Sequence, residues 1–185
     1  MSGPRIIAGA WRGRALAVPE GVITRPTSGR VKQALFDILL HAPWAEGAVA
    51  DQSVLDAFAG SGALGLEALS RGAAVATFIE QDRAAIAALH RNVAACRAAD
   101  RSRIVSADIL APPRGTPHGL ILLDPPYGKG LVPRAVRALA EAGWLAPGAL
   151  IAAEFGKADP PPADLSVLAE RAHGAARLAI WRHAA

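Results

Sequence analysis

At 185 residues, 52% of them hydrophobic, the chain can bury a substantial core, yet no uninterrupted apolar run reaches membrane-spanning length. A single cysteine, Cys96, excludes an internal disulfide framework and suits a reducing cytoplasm, and five scattered histidines form no metal cluster, so no metal is expected. The net charge of +4 is uneven: residues 1–33 hold Arg5, Arg12, Arg14, Arg25, Arg30 and Lys32 against Glu20 alone, leaving the remainder close to neutral. A near-neutral body with a basic arm fits a polyanion docked at one end. The start, MSGPRII, lacks the long apolar segment of a secretory signal.

Residues 5–8 and 14–18 read as two short strands around Gly9-Ala10-Trp11-Arg12-Gly13, a small hairpin that could add to the edge of the main sheet. Trp11 among the arginines suits stacking on bases; a merely solvated hairpin is the alternative. Arg25-Pro26-Thr27-Ser28 signals a helix start. Val31, Ala34, Leu35, Ile38 and Leu39 then follow the spacing of one buried helical face. From Ser53 the pattern alternates strand and helix, which predicts an α/β, doubly wound, mostly parallel sheet. The expected organisation is one domain over 1–185, with a basic hairpin extension over 1–24 and a core over 25–185.

The core is organised around VLDAFAGSGALGLEALSRG, residues 54–72: a buried strand, a glycine turn and a helix ended by Gly72. Such a turn aims free N–H groups and the positive end of a helix dipole at a ligand. Gly60, Gly62 and Gly65 match G-x-G-x-x-G, and Glu80 stands at the distance downstream that a dinucleotide site uses. Asp56 argues against that ligand. A pyrophosphate beside a carboxylate at low dielectric is unfavourable, whereas the ammonium and sulfonium of S-adenosylmethionine would be attracted. A ligand-free turn with Asp56 capping the helix is the bland alternative.

Residues 74–79 form a second apolar strand ending in Glu80, placed to accept hydrogen bonds from ribose hydroxyls or to start the next helix. That helix runs from about residue 82 to 97, with Cys96 as filler on its apolar stripe. A third strand, 104–107, ends in Asp108, placed for an adenine amino group or for an ordinary turn. A crossover helix is expected over 110–118, but its three prolines favour a loop. The fourth strand, 120–123, runs into Asp124-Pro125-Pro126-Tyr127. Prolines carry no N–H, so this loop is a rigid cup of acceptors suited to an exocyclic amine. Tyr127 offers a flat face for a base, and Asp124 would hold the amine and ease departure of its proton. The closing elements are a helix from Pro133 to about Ala142, a strand over 149–154 and an antiparallel pair over 165–171 and 176–181.

The turn DAFAGSG followed by DPPY resembles the class I S-adenosylmethionine-dependent amino-methyltransferases. RIIAGAWRGRALAVP followed by TRPTSGRVKQALFDIL narrows the likeness to the RsmD-type bacterial small-subunit ribosomal RNA guanine-N2 methyltransferases, over residues 5–155. The resemblance implies a Rossmann-like fold and S-adenosylmethionine as cofactor. It implies that Asp56, Gly60 and Gly62 meet the methionine part, Glu80 the ribose and Asp108 the adenine, with Phe58 of the same turn also binding the cofactor. Asp124, Pro125, Pro126 and Tyr127 would hold a guanine amine. Arg5, Trp11, Arg12, Arg14, Arg25 and Arg30 would meet ribosomal RNA, in a small-subunit particle, with the enzyme a cytoplasmic monomer. DPPY alone does not separate guanine from adenine, so an adenine-N6 methyltransferase stays open. An NAD-dependent oxidoreductase, which leaves Asp56 and DPPY without roles, and a silent RNA-binding module, which needs no acceptor cup, are more distant.

Overall fold

The computed structural model describes residues 3–19 and 29–184. Seven strands form one sheet: β1 (Ser53–Asp56), β2 (Val75–Glu80), β3 (Ser102–Ser106), β4 (His118–Leu123), β5 (Leu145–Gly156), β6 (Ser166–His173) and β7 (Ala176–Arg182), in the order β3-β2-β1-β4-β5-β7-β6. The first five are parallel, and β7 then runs antiparallel to both β5 and β6. This is the mostly parallel, doubly wound sheet with an antiparallel closing pair that the alternating pattern predicts. Buried on both faces, the central strands are nearly continuous apolar runs: Val54 and Leu55 on β1, Leu120 to Leu123 on β4. The strand order reverses between β1 and β4, and ligands of such sheets bind beyond the carboxyl ends at that point.

Three helices, α1 (Gly29–His41), α2 (Ala63–Ser70) and α3 (Arg83–Ala95), pack with Val54, Phe78, Leu120, Leu122 and Ala152 on one face of the sheet. The other face is covered by α4 (Leu131–Glu141) together with Trp144 and Trp181, packed on Leu55, Ile121, Leu123 and Ala153. Val31, Leu35 and Leu39 form the buried face of α1 as their spacing predicts; its predicted start signal, residues 25–28, lies outside the described residues. Between β3 and β4 there is no helix, in keeping with the prolines at 112, 113 and 117. Instead Trp144 donates its Nε1–H to the Pro113 carbonyl (2.8 Å), fastening that loop to the α4 side.

The N-terminal arm doubles back, but not as two strands and not as a sheet edge. It makes one antiparallel bridge, Arg5–Ala15, around a short 3-10 turn over Gly9–Trp11. The reason is that α2 takes its backbone groups: Glu67 accepts from the amides of Ile7 (2.7 Å) and Ala8 (3.0 Å), and Ser70 Oγ accepts from that of Trp11 (3.0 Å). The approach is so close that a Cβ on Gly9 would lie 1.8 Å from the Ser70 carbonyl oxygen, at a φ of +79°. Ile6 and Leu16 bury their side chains in the core beneath.

Candidate active site

The site grows out of the end of β1. Val54 and Leu55 bury the strand, and Asp56 closes it with a carboxyl only 1% exposed. Its Oδ2 accepts from the Gly65 amide (2.8 Å) in the first turn of α2, one of the orphan donors of a helix start. Its Oδ1 is buried and has no partner among the described residues. Gly60 (φ +52°) and Gly62 (φ +83°) turn the chain between them. A side chain on Gly62 would in addition put its Cβ 2.4 Å from Leu89 Cδ1 of α3.

Electrostatics set this point apart. Burial pushes the Asp56 carboxyl up to about 7, the Gly65 amide bond opposes this, and the charges of Asp124 and Glu80 push it further up. Lys32 pulls it back from the α1 side. Three carboxylates thus act on one another at the carboxyl edge of β1, β2 and β4. A phosphate would add to that repulsion, whereas a cationic group would relieve it.

The Glu80 carboxylate binds the glycine turn: Oε2 accepts from the Gly60 amide (2.8 Å), while Oε1 accepts from Gln81 (2.8 Å) and Asp82 (2.9 Å). The bonds to Gln81 and Asp82 are those of a helix-start residue, and the bond to Gly60 ties it to the glycine turn. Asp108 is exposed and turns back on itself, Oδ1 accepting from the Leu110 amide (2.9 Å), as a turn residue does. Beside Glu80 lies a narrow crevice of about 30 Å³, lined by Phe58, Ile79, Glu80, Ala107 and Ile109. The structure therefore brings Phe58, Glu80 and the β3 end together, beside Asp56 and the glycines.

Across the reversal point, β4 delivers Asp124 half-buried, Pro125 buried and Pro126 exposed. The Tyr127 hydroxyl donates to Glu154 Oε1 on β5 in a short hydrogen bond, which fixes the edge of the ring. Asp159 holds the following loop, accepting from the amides of Gly128 (2.8 Å), Gly130 (3.0 Å) and Gly156 (3.1 Å). Those amide bonds keep its carboxyl below the usual range. Glu154 shifts the other way: burial raises its carboxyl, and the Tyr127 hydroxyl opposes this.

Glu154, Asp159, Glu67 and Asn92 escape the sequence reading, although each is a lone polar residue in an apolar or glycine-proline setting. Glu67 is fully buried between Lys32 Nζ (3.2 Å) and Arg71 Nε (2.8 Å). Asn92, 2% exposed on α3, accepts from the Ala17 amide (2.7 Å) and donates to the carbonyls of Ala17 (2.9 Å) and Ser61 (2.8 Å), joining the arm to the glycine turn. On the arm, Arg5, Arg12 and Arg14 are exposed, as is Arg30 on α1; Arg25 lies outside the described residues. Arg14 also donates to the Ala95 carbonyl. Trp11 is partly buried against the core, and Arg101 sits over its ring (5.5 Å to the centroid), so one face is already covered. Cys96 is buried filler. Among the described residues no helix is long and apolar enough to cross a membrane, and no group of three His, Cys, Asp or Glu is placed to hold a metal ion.

Comparison with known proteins agrees with this geometry. The family described as conserved hypothetical protein 95 matches residues 4–182. Ribosomal RNA small subunit methyltransferase D of Escherichia coli is 45% identical over 152 residues, 81% of this chain and 73% of its own. The protein of that name from Haemophilus influenzae is 37% identical over 97% of this chain and 93% of its own. The solved E. coli structure named yhhF superposes with a TM-score of 0.82 at 42% identity, covering 98% of each chain. The chain belongs to this family, that of the RsmD-type methyltransferases, and has their Rossmann-like fold.

Proposed function

We propose that the chain transfers a methyl group from S-adenosylmethionine to the exocyclic N2 amine of a guanine in small-subunit ribosomal RNA. The observation that carries the reading is the placement of Asp124 and its two prolines directly across the strand reversal from a glycine turn ringed by acids. The printed names of the E. coli and H. influenzae relatives support ribosomal RNA as the substrate.

The residues fit the cofactor. The unpartnered Oδ1 of Asp56, with Glu80 and Asp124 nearby, makes a field for a cation. Asp56, Gly60 and Gly62 would hold the methionine part, Glu80 the ribose, and Phe58 with Asp108 the adenine. When bound, the group supplies a methyl on a sulfonium centre. Asp124 and the carbonyls of Pro125 and Pro126 orient the target amine so that its lone pair faces that methyl. Asp124 would take the proton that the amine gives up on receiving the methyl group. Tyr127 supports the base from the side. The arm over 1–24, with Arg5, Arg12, Arg14 and Trp11, docks the RNA onto the core over 25–185, Arg30 and Arg25 adding charge at the junction.

The test is to incubate the protein with isotopically labelled S-adenosylmethionine and small-subunit ribosomal RNA, free and as assembled particle, then digest to nucleosides. Labelled N2-methylguanosine is the expected product. Label in N6-methyladenosine would transfer the reading to adenine, and no label in RNA would overturn it.

A further inference from the structure

Glu154 has a buried oxygen that its own fold does not use. The residue is 7% exposed, Oε1 is taken by the Tyr127 hydroxyl, and Oε2 is buried with no partner among the described residues. A buried carboxylate oxygen left without a donor is costly, and its retention calls for an explanation.

The sheet register says where that oxygen lies. On adjacent parallel strands Leu123, the last residue of β4, is level with Ala153, so the chain leaves β4 at Asp124 beside the position of Glu154 on β5. Leu122 and Ala152 face the α1–α3 layer, and Leu123 and Ala153 face α4. Alternation along β5 therefore puts Glu154 on the face of Ala152, next to the strand end from which Asp124 follows, neighbouring strands lying about 4.8 Å apart. Tyr127, from the loop that Asp124 begins, binds Glu154 and so links the two acids on one side of the amine cup. The hydroxyl donates to Oε1, which leaves the acceptor capacity of Oε2 unused by the described residues.

We propose that Glu154 is the specificity-determining residue of the acceptor site, Oε2 accepting the ring N1–H of a guanine while Asp124 takes its N2 amine. This rests on the amino-methyltransferase reading above and adds to it the choice of base. Guanine presents N1–H and the amine side by side as donors, matching two neighbouring acceptors. Adenine presents a lone pair at N1, which faces the carboxylate unfavourably and leaves Oε2 unpaired.

The decisive pair of substrates is small-subunit RNA with either guanine or 2-aminopurine at the methylated position, since 2-aminopurine keeps the amine and lacks N1–H. Wild-type protein should prefer guanine by at least tenfold in kcat/KM, in line with the discrimination a paired base edge supplies. Glu154→Gln keeps the volume and the acceptor for Tyr127 but presents an N–H, so it should narrow the preference to within about threefold or invert it. Calorimetry with S-adenosylmethionine should show donor affinity within twofold of wild type, which reports that the variant is folded. A wild-type preference near one overturns the proposal without any variant, as does a Gln variant that loses rate equally on both bases. Absence of methyl transfer to any guanine by wild type would instead overturn the underlying function, seen in the nucleoside digest, and this proposal with it.

Discussion

The two sides of the strand reversal use the same residue types in opposite ways. On the β1–β2–β3 side, the acids at the strand ends are spent on backbone: Asp56 on Gly65, Glu80 on Gly60, Gln81 and Asp82, Asp108 on Leu110. That side is a cradle whose shape is set before any ligand arrives. On the β4–β5 side, one acid, Asp159, takes the amides of Gly128, Gly130 and Gly156 and so holds the loop that follows Asp124. An acid at a strand end is therefore not a binding residue by position alone.

The largest expected effect separates the two sides outright. Asp124→Ala should lower kcat by about 10²–10⁴-fold, the range for loss of a positioned acid–base group. Donor affinity by calorimetry should stay within a few-fold, or rise slightly, because a charge that disfavours ionisation of Asp56 has gone. Near-normal turnover would show that the proline cup is only a turn.

This comparison also explains how much was legible in the sequence. The sheet, the reversal point and the glycine turn were readable because apolar runs, glycines and prolines act locally. The absent helix before β4 was readable for the same reason, from three prolines. The arm was legible only in part: its halves pair through the Ile6–Arg14 and Leu16–Pro4 backbone bonds, but the amides of Ile7, Ala8 and Trp11 are taken by Glu67 and Ser70 about sixty residues away. Trp11 among arginines pointed to base stacking, yet Arg101 from beyond α3 covers part of its ring. Glu154 lay hidden inside an apolar strand because its use depends on register with β4, which no local pattern carries. The likeness to a known family supplied roles; the structure shows which of those acids also serve the fold.

A smaller effect probes the cradle by pH. The Asp56 carboxyl sits at about 7, and a cationic ligand favours its ionised form. Below pH 7 that ionisation must be driven, so affinity for S-adenosylmethionine should fall by up to about tenfold per pH unit. Above 7 it should level off. The fold responds in the other sense: a carboxyl raised from its ordinary value near 3.8 keeps its proton in the folded state, so stability declines as pH rises from about 4 to about 7. Asp56→Asn should flatten both curves, measured by calorimetry and by denaturant unfolding across pH 5–8. A donor affinity equally pH-dependent in the Asn variant would place the titration elsewhere.

The smallest effect concerns the arm, which α1 also holds, Lys32 Nζ donating to the Arg5 carbonyl (2.7 Å). Glu67 and Ser70 of α2 and Asn92 of α3 hold it, and Asn92 continues to the Ser61 carbonyl of the glycine turn. These contacts use the arm's backbone, leaving Arg12 and Arg14 exposed on the outside. Phosphate contacts by exposed arginines release counterions, each adding about 0.7–0.9 to the salt slope of RNA binding. Replacing Arg12 and Arg14 by alanine removes no anchor from α2 and only the Arg14 bond to the Ala95 carbonyl from α3, so the arm should stay docked through Glu67, Ser70 and Asn92 and donor affinity should not change. The apparent KM for RNA should rise and its dependence on salt flatten by the slope of one or two contacts, with kcat kept. Measuring KM from 50 to 200 mM salt distinguishes this from a loosened arm, which would lower donor affinity through Asn92 and the glycine turn as well. An unchanged salt slope would leave the arm as a solvated cover on α2, and RNA docking would then fall to the β4–β5 side.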